Sequence, residues 1–200
     1  MRSGILRQAG VSIAALVIAT VVLGLGYPLA VTGIAQLFFR DKANGSLVYS
    51  GGKLVGSALL GQSFTDAKGN PLPGYFQPRP SNAGTGYDGS SSGASNLGPS
   101  NPVLINEVSQ RVRAYRQFNH LPASPAVPVD AVTASGSGLD PDISLQNALD
   151  QAPRVAQARH LPVARVLALL HQRTTPAQWG FLSEPDVNVL QLNLGLDGER

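Results

Sequence analysis

No cysteine occurs in the 200 residues, which excludes a disulfide framework, a thiolate zinc site and a thiol nucleophile and leaves the redox compartment open. Charge is scarce too. Asp, Glu, Lys and Arg together make up 14% of the chain, against about a quarter in ordinary soluble domains, so long surface helices laced with ion pairs are not expected. The excess of +3 is also confined to one end. Arg2, Arg7 and Arg40 are three of the 15 basic residues, and the other twelve balance the twelve acids. The bulk of the chain is neutral, and no nucleic-acid partner is predicted. In place of charge stand 22 glycines and 15 prolines, so loops and turns occupy much of a chain long enough for one modest domain plus something extra.

The extra part is apolar. No charged residue lies between Arg7 and Arg40. A spanning helix needs roughly 20 apolar residues to cross about 30 Å of hydrocarbon, and Val11 to Ile34 supplies them. One transmembrane helix is predicted in the region 9–36, strongest from Val11 to Leu25 and loosened by Gly24, Gly26 and Pro28. Residues 1–8 precede it and 37–200 follow. A cleaved signal peptide ending near Gly33-Ile34-Ala35 is the rival reading, but a signal's apolar core runs about 7 to 15 residues and this run is twice that. An uncleaved, single-pass anchor in membrane lipid is favoured. Arg2, Arg7 and the amino terminus outweigh Arg40 and Lys42 offset by Asp41, which predicts a cytoplasmic N-terminus and an external bulk of the chain. Gly10 with Ala14, and Ala15 with Ala19, place small residues four apart, a spacing that admits a second membrane helix.

Beyond the anchor the pattern predicts a loop-rich α+β domain. Two short strands, Ser46 to Tyr49 and Lys53 to Leu59, flank a turn at Ser50-Gly51-Gly52. Phe64 to Pro80 reads as ordered loop, and the five glycines and five serines of Asn82 to Asn101 read as linker. Ser100-Asn101-Pro102 starts a helix over Val103 to Phe118. Leu121 to Pro128 is broken by proline, Ala131 to Ala134 reads as extended, and Ser135 to Pro141 as a turn. Helices follow near Asp142 to Asp150, from Pro153 to His160 and from Pro162 to Gln172, with Val187 to Leu194 as a closing strand.

Reactive motifs fail one by one. Gly52-Lys53 is followed by Leu54 and has no glycine five positions earlier, so it is not a phosphate loop. Asp41-Lys42-Ala43-Asn44 is not the Asp-Lys-Thr-Gly of a phosphorylated pump. His120, His160 and His171 lack metal-ligand spacing, and no metal site is predicted. Ala134-Ser135-Gly136-Ser137-Gly138 resembles a nucleophile elbow, yet its first glycine position falls on Ser135 and no strong strand precedes it. A Gly/Ser turn explains the same residues. No catalytic residue is assigned.

One set of segments is distinctive in combination. It comprises Gly56 to Phe64, Tyr75-Phe76 with Arg79-Pro80-Ser81, Ser92 to Pro99, Val132 to Pro141, Arg154-Val155-Ala156, and Val187 to Leu190 with Leu192-Asn193-Leu194. In this order they resemble the C subunits of Kdp potassium-transporting P-type ATPases over nearly the whole chain, the single N-terminal span included. The resemblance implies a non-catalytic accessory subunit of a bacterial inner-membrane complex for high-affinity potassium uptake. Its partners would be a potassium-binding channel-like subunit, a catalytic P-type subunit and a small hydrophobic subunit, with no cofactor in this chain. It also implies that the Ser/Gly/Asn loop is ordered against a partner. A nucleotide contact proposed for the family maps onto Ser92, Gly93, Ala94, Ser95 and Asn96, with Ala94 in place of the pattern's second glycine and Asp142 where a histidine is usual. The other reading of the residues is a membrane-tethered external hydrolase or binding protein acting alone.

Overall fold

The structure is a computed structural model and describes residues 2–124 and 126–198; Met1, Pro125, Glu199 and Arg200, which belong to the predicted N-terminal segment, proline-broken stretch and C-terminus, lie outside the described residues. The chain divides into two units, 1–46 and 47–200.

The first unit is one apolar helix with a single irregular turn. Helix α1 (Arg2–Val21) passes through a widened π turn at Val22–Gly26 into α2 (Tyr27–Phe38), and the 35-residue run Gly4–Phe38 contains an 18-residue window with a mean hydropathy of 2.3. At 1.5 Å per residue the run extends about 50 Å, more than the hydrocarbon thickness. Pro28 explains the widened turn. It cannot donate to the Gly24 carbonyl and its ring crowds that oxygen, so the turn opens and the Tyr27 N–H donates to Val22, five residues back. A short turn, α3 (Arg40–Ala43), follows, and the amides of Gln36 and Asn44 bond reciprocally at 3.2 Å.

The second unit is the predicted α+β domain. Strands β1 (Leu47–Ser50) and β2 (Lys53–Ser57) form an antiparallel hairpin, closed by Gly51 and Gly52, both at positive φ as a two-residue turn requires. Helix α4 (Pro102–Phe118) starts as the sequence indicates, with Asn101 Oδ1 accepting the Val103 N–H at 2.9 Å. A second antiparallel sheet has the order β3 (Asp142–Ser144), β5 (Asp186–Asn188), β4 (Thr174–Thr175). Helices α6 (Leu145–Arg159), α7 (Val163–Arg173) and α8 (Val189–Asp197) pack on it, and their core includes Ile143, Ala148, Ala152, Val155, Val166, Leu170, Val187, Leu192 and Leu196 together with Phe76 from a loop.

Three predicted elements differ. Ala131 to Ala134 is not extended: Val129–Val132 makes one helical turn, α5, tied by Thr133 Oγ1 to the Val129 carbonyl at 2.7 Å. The two helices around Pro153 are one helix, α6, preceded by strand β3. Pro153 lies on the exposed face of α6, where its ring is not packed against the core. The closing strand stops at Asn188, whose Oδ1 accepts the Gln191 N–H at 3.1 Å and starts α8. Val189, Leu190, Leu192, Asn193 and Leu196 are then buried at helical spacing.

Phe76 reaches the core only because its backbone is bonded there. Asn193 Oδ1 accepts the Phe76 N–H at 2.9 Å and its Nδ2 donates to the Phe76 carbonyl at 3.0 Å. Asn193→Leu keeps the branched heavy-atom shape but orphans both groups, at about 1–3 kcal/mol each, a large share of the about 5–15 kcal/mol that holds a domain. Thermal unfolding of the full chain in detergent is expected to show a matching fall in midpoint.

Candidate functional site

Two of the segments that carry the family resemblance, Tyr75 to Ser81 and Val132 to Pro141, lie in two adjoining loops. The first, 73–81, is strapped to the helices by side chains. Gln151 on α6 accepts the Gln77 N–H at 2.7 Å and donates to the Gln77 carbonyl at 3.1 Å, repeating on the next residue what Asn193 does for Phe76. Gln151 Nε2 also donates to Asn147 Oδ1 at 2.8 Å, and Asn147 Nδ2 donates to Asp130 at 2.9 Å. The Tyr115 hydroxyl of α4 donates to Asn147 Oδ1 at 2.9 Å, and burial pushes its pKa above the ordinary tyrosine value. Asp130 accepts both the N–H and the hydroxyl of Ser144 at 2.8 Å.

Arg154 completes the strap from one turn along α6. It is 3% exposed, and it donates to Asn119 Oδ1 at 2.8 Å, to Gln151 Oε1 at 2.9 Å, to the Tyr75 carbonyl at 3.0 Å and to the Pro73 carbonyl, with its guanidinium 4.3 Å over the Phe118 ring. Every one of these acceptors is neutral. Burial therefore pulls its pKa down to about 10, which still leaves the group charged at neutral pH. Arg159 works similarly at the loop's outer end, bonding Gly74, pairing with Asp197 at 2.9 Å and lying 4.6 Å over the Tyr75 ring.

The second loop is the turn Ser135 to Asp140. Ser135 Oγ accepts the Gly138 N–H at 2.9 Å, and Ser137 Oγ accepts the Leu139 N–H and donates to Asp140 Oδ1, both at 3.1 Å. The other Asp140 oxygen pairs with Arg79 at 2.9 Å, and Ser81 Oγ donates to the Gly138 carbonyl at 2.6 Å. The turn is thus welded to Arg79-Pro80-Ser81. Tyr87 closes the join, its N–H on Ser81 and its hydroxyl donating to the Arg79 carbonyl, and burial raises its pKa as well. Between the first loop and α4 lies a cavity of about 400 Å³ whose walls include Pro71, Pro78, Tyr87, Arg111, Tyr115 and Phe118.

The sequence-predicted nucleotide segment sits on the back of this turn. The Gly93 N–H and the Ser92 hydroxyl both donate to the Ser137 carbonyl, at 2.9 and 3.0 Å. Leu97 N–H goes to Ser95 Oγ and Asn96 Nδ2 to the Ala94 carbonyl, both at 3.4 Å. Asn96, not Ala94, takes the left-handed backbone, at φ +54°. A phosphate cradle needs several N–H groups aimed at one point outside the chain. Here the donors of Ser92 and Gly93 are aimed inward. The loop that composition read as linker is held in place by these bonds to its own chain. The partners of Ser137 Oγ are the acid, amide and hydroxyl of its own turn, which accounts for the residues that resembled a nucleophile elbow.

On the anchor, Gly10 and Ala14 lie within about 40° of one another around the helix, as do Ala15 and Ala19, but the two pairs are about 140° apart at 100° per residue. They make two small-residue faces rather than one stripe. Asn147 and Gln151 were not singled out by sequence reasoning, and Arg154 and Asn193 entered only as members of segments that carry the family resemblance. The available signal was periodicity: 147, 151, 154 and 155 share the stripe of Ala148 and Ala152, so polar groups there must be buried.

Two predictions follow from the turn. Gly138 has φ +69°, and a Cβ there would stand 2.7 Å from Ala83 N and from the Gly93 carbonyl. Gly138→Ala should destabilise the chain by about 1–3 kcal/mol, while Gly136→Ala, with open space and no positive φ, should stay within about 0.5 kcal/mol in the same unfolding measurement. Asp142 concerns pH. Burial raises its pKa, with Asp186 and Asp140 adding to the rise, against the lowering effect of the Asn188 amide at 2.9 Å. The folded chain therefore holds this proton more tightly than the unfolded chain. The cost of the charged form is complete above the folded pKa, shrinks as pH falls below it and is gone below the unfolded pKa. Asp142→Asn should be more stable than the parent at neutral pH, with the advantage shrinking on acidification.

Comparison with known proteins agrees with the assignment. Residues 9–198 match the model of the family described as "KdpC: K+-transporting ATPase, c chain". The Potassium-transporting ATPase KdpC subunit of Mycobacterium tuberculosis (strain ATCC 25618 / H37Rv) is 54% identical over 191 residues, 96% of this chain and 98% of the relative. The KdpC subunit of Acidobacterium capsulatum is 53% identical over 181 residues, 90% and 92% of the two chains. That of Rhodospirillum rubrum is 52% identical over 193 residues, 96% and 94%. With the match running from the apolar helix to the end of α8, the chain belongs to the KdpC family, the c chain of K+-transporting ATPases.

Proposed function

We propose that the chain acts as a non-catalytic accessory subunit that assembles and stabilises a potassium-uptake ATPase, anchored by one helix with its N-terminus in the cytoplasm and residues 37–200 outside the inner membrane. Its partners in this reading are the channel-like potassium-binding subunit, the catalytic P-type subunit and the small hydrophobic subunit. The observation that carries it is the use to which the domain's polar side chains are put. Arg79, Asn119, Asp130, Asn147, Gln151, Arg154 and Asn193 bond one another or other groups of their own chain, an arrangement suited to presenting a fixed surface. In the same reading Ser92 to Asn96 brace the 135–140 turn and do not cradle a phosphate, in keeping with the two donors on the Ser137 carbonyl.

The anchor meets its neighbours through small residues, because helix association in lipid rests on close van der Waals packing. The two faces can be tested apart. Ala14→Phe and Ala15→Phe, measured singly by co-purification with the other subunits, should give a several-fold loss of partner recovery for whichever face is packed and little change for the other. Ser137→Ala removes a turn hydrogen bond worth about 1 kcal/mol, and should leave potassium-stimulated ATPase activity of the assembled complex nearly intact. Loss of activity in a fully assembled Ser137→Ala complex, with both Phe variants neutral, would favour a chemical or gating role for the turn. Topology has its own check: a phosphatase reporter fused after Arg200 should be active and a cytoplasmic reporter silent.

A further inference from the structure

The hairpin between β4 and β5 ends in an apolar tip that neither the fold nor the strapped loops use. Trp179 is 82% exposed, Phe181 76% and Leu182 54%. Scattered apolar side chains are ordinary on a protein surface, but three large ones within four residues mark a contact site. The backbone beneath them is held to that shape. Trp179 has φ +54°, a costly conformation for a bulky residue, and Gly180 follows at +83°.

Two features of the tip say what medium it suits. First, four of its backbone donors, those of Gln178, Gly180, Phe181 and Leu182, are returned to the loop itself. Gly180 N–H goes to the Ala177 carbonyl at 2.8 Å, Phe181 and Leu182 N–H to the Gln178 carbonyl at 3.3 and 3.0 Å, and Gln178 N–H to Ser183 Oγ at 3.1 Å. A protein partner can supply missing hydrogen bonds, whereas an acyl layer cannot, so each N–H bonded within the loop lowers the cost of seating it at the boundary of that layer. Second, charge brackets the tip without entering it. Residues 174–183 are uncharged, while Arg173 and Glu184, both exposed, stand one at each foot. That pattern complements a bilayer whose headgroups carry both signs, phosphate for Arg173 and ammonium for Glu184, above an apolar layer. Tryptophan is the side chain most at home at that boundary.

We propose that the 176–183 loop is a membrane-contact element that seats Trp179, Phe181 and Leu182 at the headgroup–acyl boundary of a zwitterionic bilayer. The inference rests on the reading of Gly4–Phe38 as an anchor, which keeps the soluble unit beside a membrane. The loop then adds a second, reversible attachment to the covalent tether.

The sequence contains a single tryptophan, so intrinsic indole emission reports on this loop alone. The full chain reconstituted in phosphatidylethanolamine/phosphatidylcholine vesicles should show blue-shifted emission, weak quenching by aqueous acrylamide, and roughly twofold quenching by lipids brominated high on the acyl chain, at a depth of about 5–10 Å. Phe181→Ser with Leu182→Ser should return Trp179 to water-like emission while the chain still floats with the vesicles. Three results would overturn the proposal. Flotation with a water-exposed, acrylamide-quenched Trp179 leaves the anchor reading standing and removes the loop. Blue-shifted emission without lipid quenching, or appearing only when the other subunits are reconstituted, assigns the tip to a protein surface. Failure to float removes the anchor and the loop together.

Discussion

The soluble unit depends on how it buries a stretch of chain that belongs to neither sheet. Loop 73–77 carries Phe76 into the core, and a buried backbone must find partners for every N–H and C=O it brings. Two amides solve this in tandem, Asn193 on α8 for Phe76 and Gln151 on α6 for Gln77, each taking one donor and one acceptor as a neighbouring strand would. Arg154 then collects the carbonyls of Pro73 and Tyr75. Loop and helices are thereby parts of one core, and Phe76 joins residues from three helices in the same cluster.

That constraint propagates. Gln151 is itself oriented by Asn147, Asn147 by Tyr115 and Asp130, and Asp130 by the start of α6 at Ser144. A buried network of this kind is stabilising only when each member is satisfied, since one missing partner leaves a group in low dielectric with nothing to bond. It reaches α4, α5 and α6 and borders the cavity beneath Pro78. Arg79, two residues beyond the strap, carries the order into the Ser135–Asp140 turn, and the turn in turn fixes Ser92 and Gly93. A glycine- and serine-rich stretch that could wander alone is held by a chain of bonds that begins in the core.

The same arrangement separates chemistry from support. Serine, aspartate and arginine meet at the Ser135–Asp140 turn, as they do in many reactive sites, yet Ser137 bonds Asp140 and the backbone of its own turn. Arg79 pairs with that same Asp140. What the domain offers outward is shape: a turn, a cavity wall and a rigid apolar hairpin tip.

Much of this was determined by sequence alone. The charge-free run between Arg7 and Arg40 dictates an apolar helix, Gly51-Gly52 dictates a hairpin, and Asn101-Pro102 dictates where α4 begins, because each is a local rule about solvation or backbone geometry. The family was legible for the same reason, in the order of short segments. Tertiary structure decided the rest. Val187 to Leu194 alternates like a strand and also repeats like a helix, and only the pairing of Asn188 with Asp142 and its cap on Gln191 set the change at that residue. Pro153 stays inside α6 because tertiary packing turns its face to water. The amides that strap the loop lie more than 70 residues from the backbone they bond, and no local pattern of polarity or period specifies a partner at that distance.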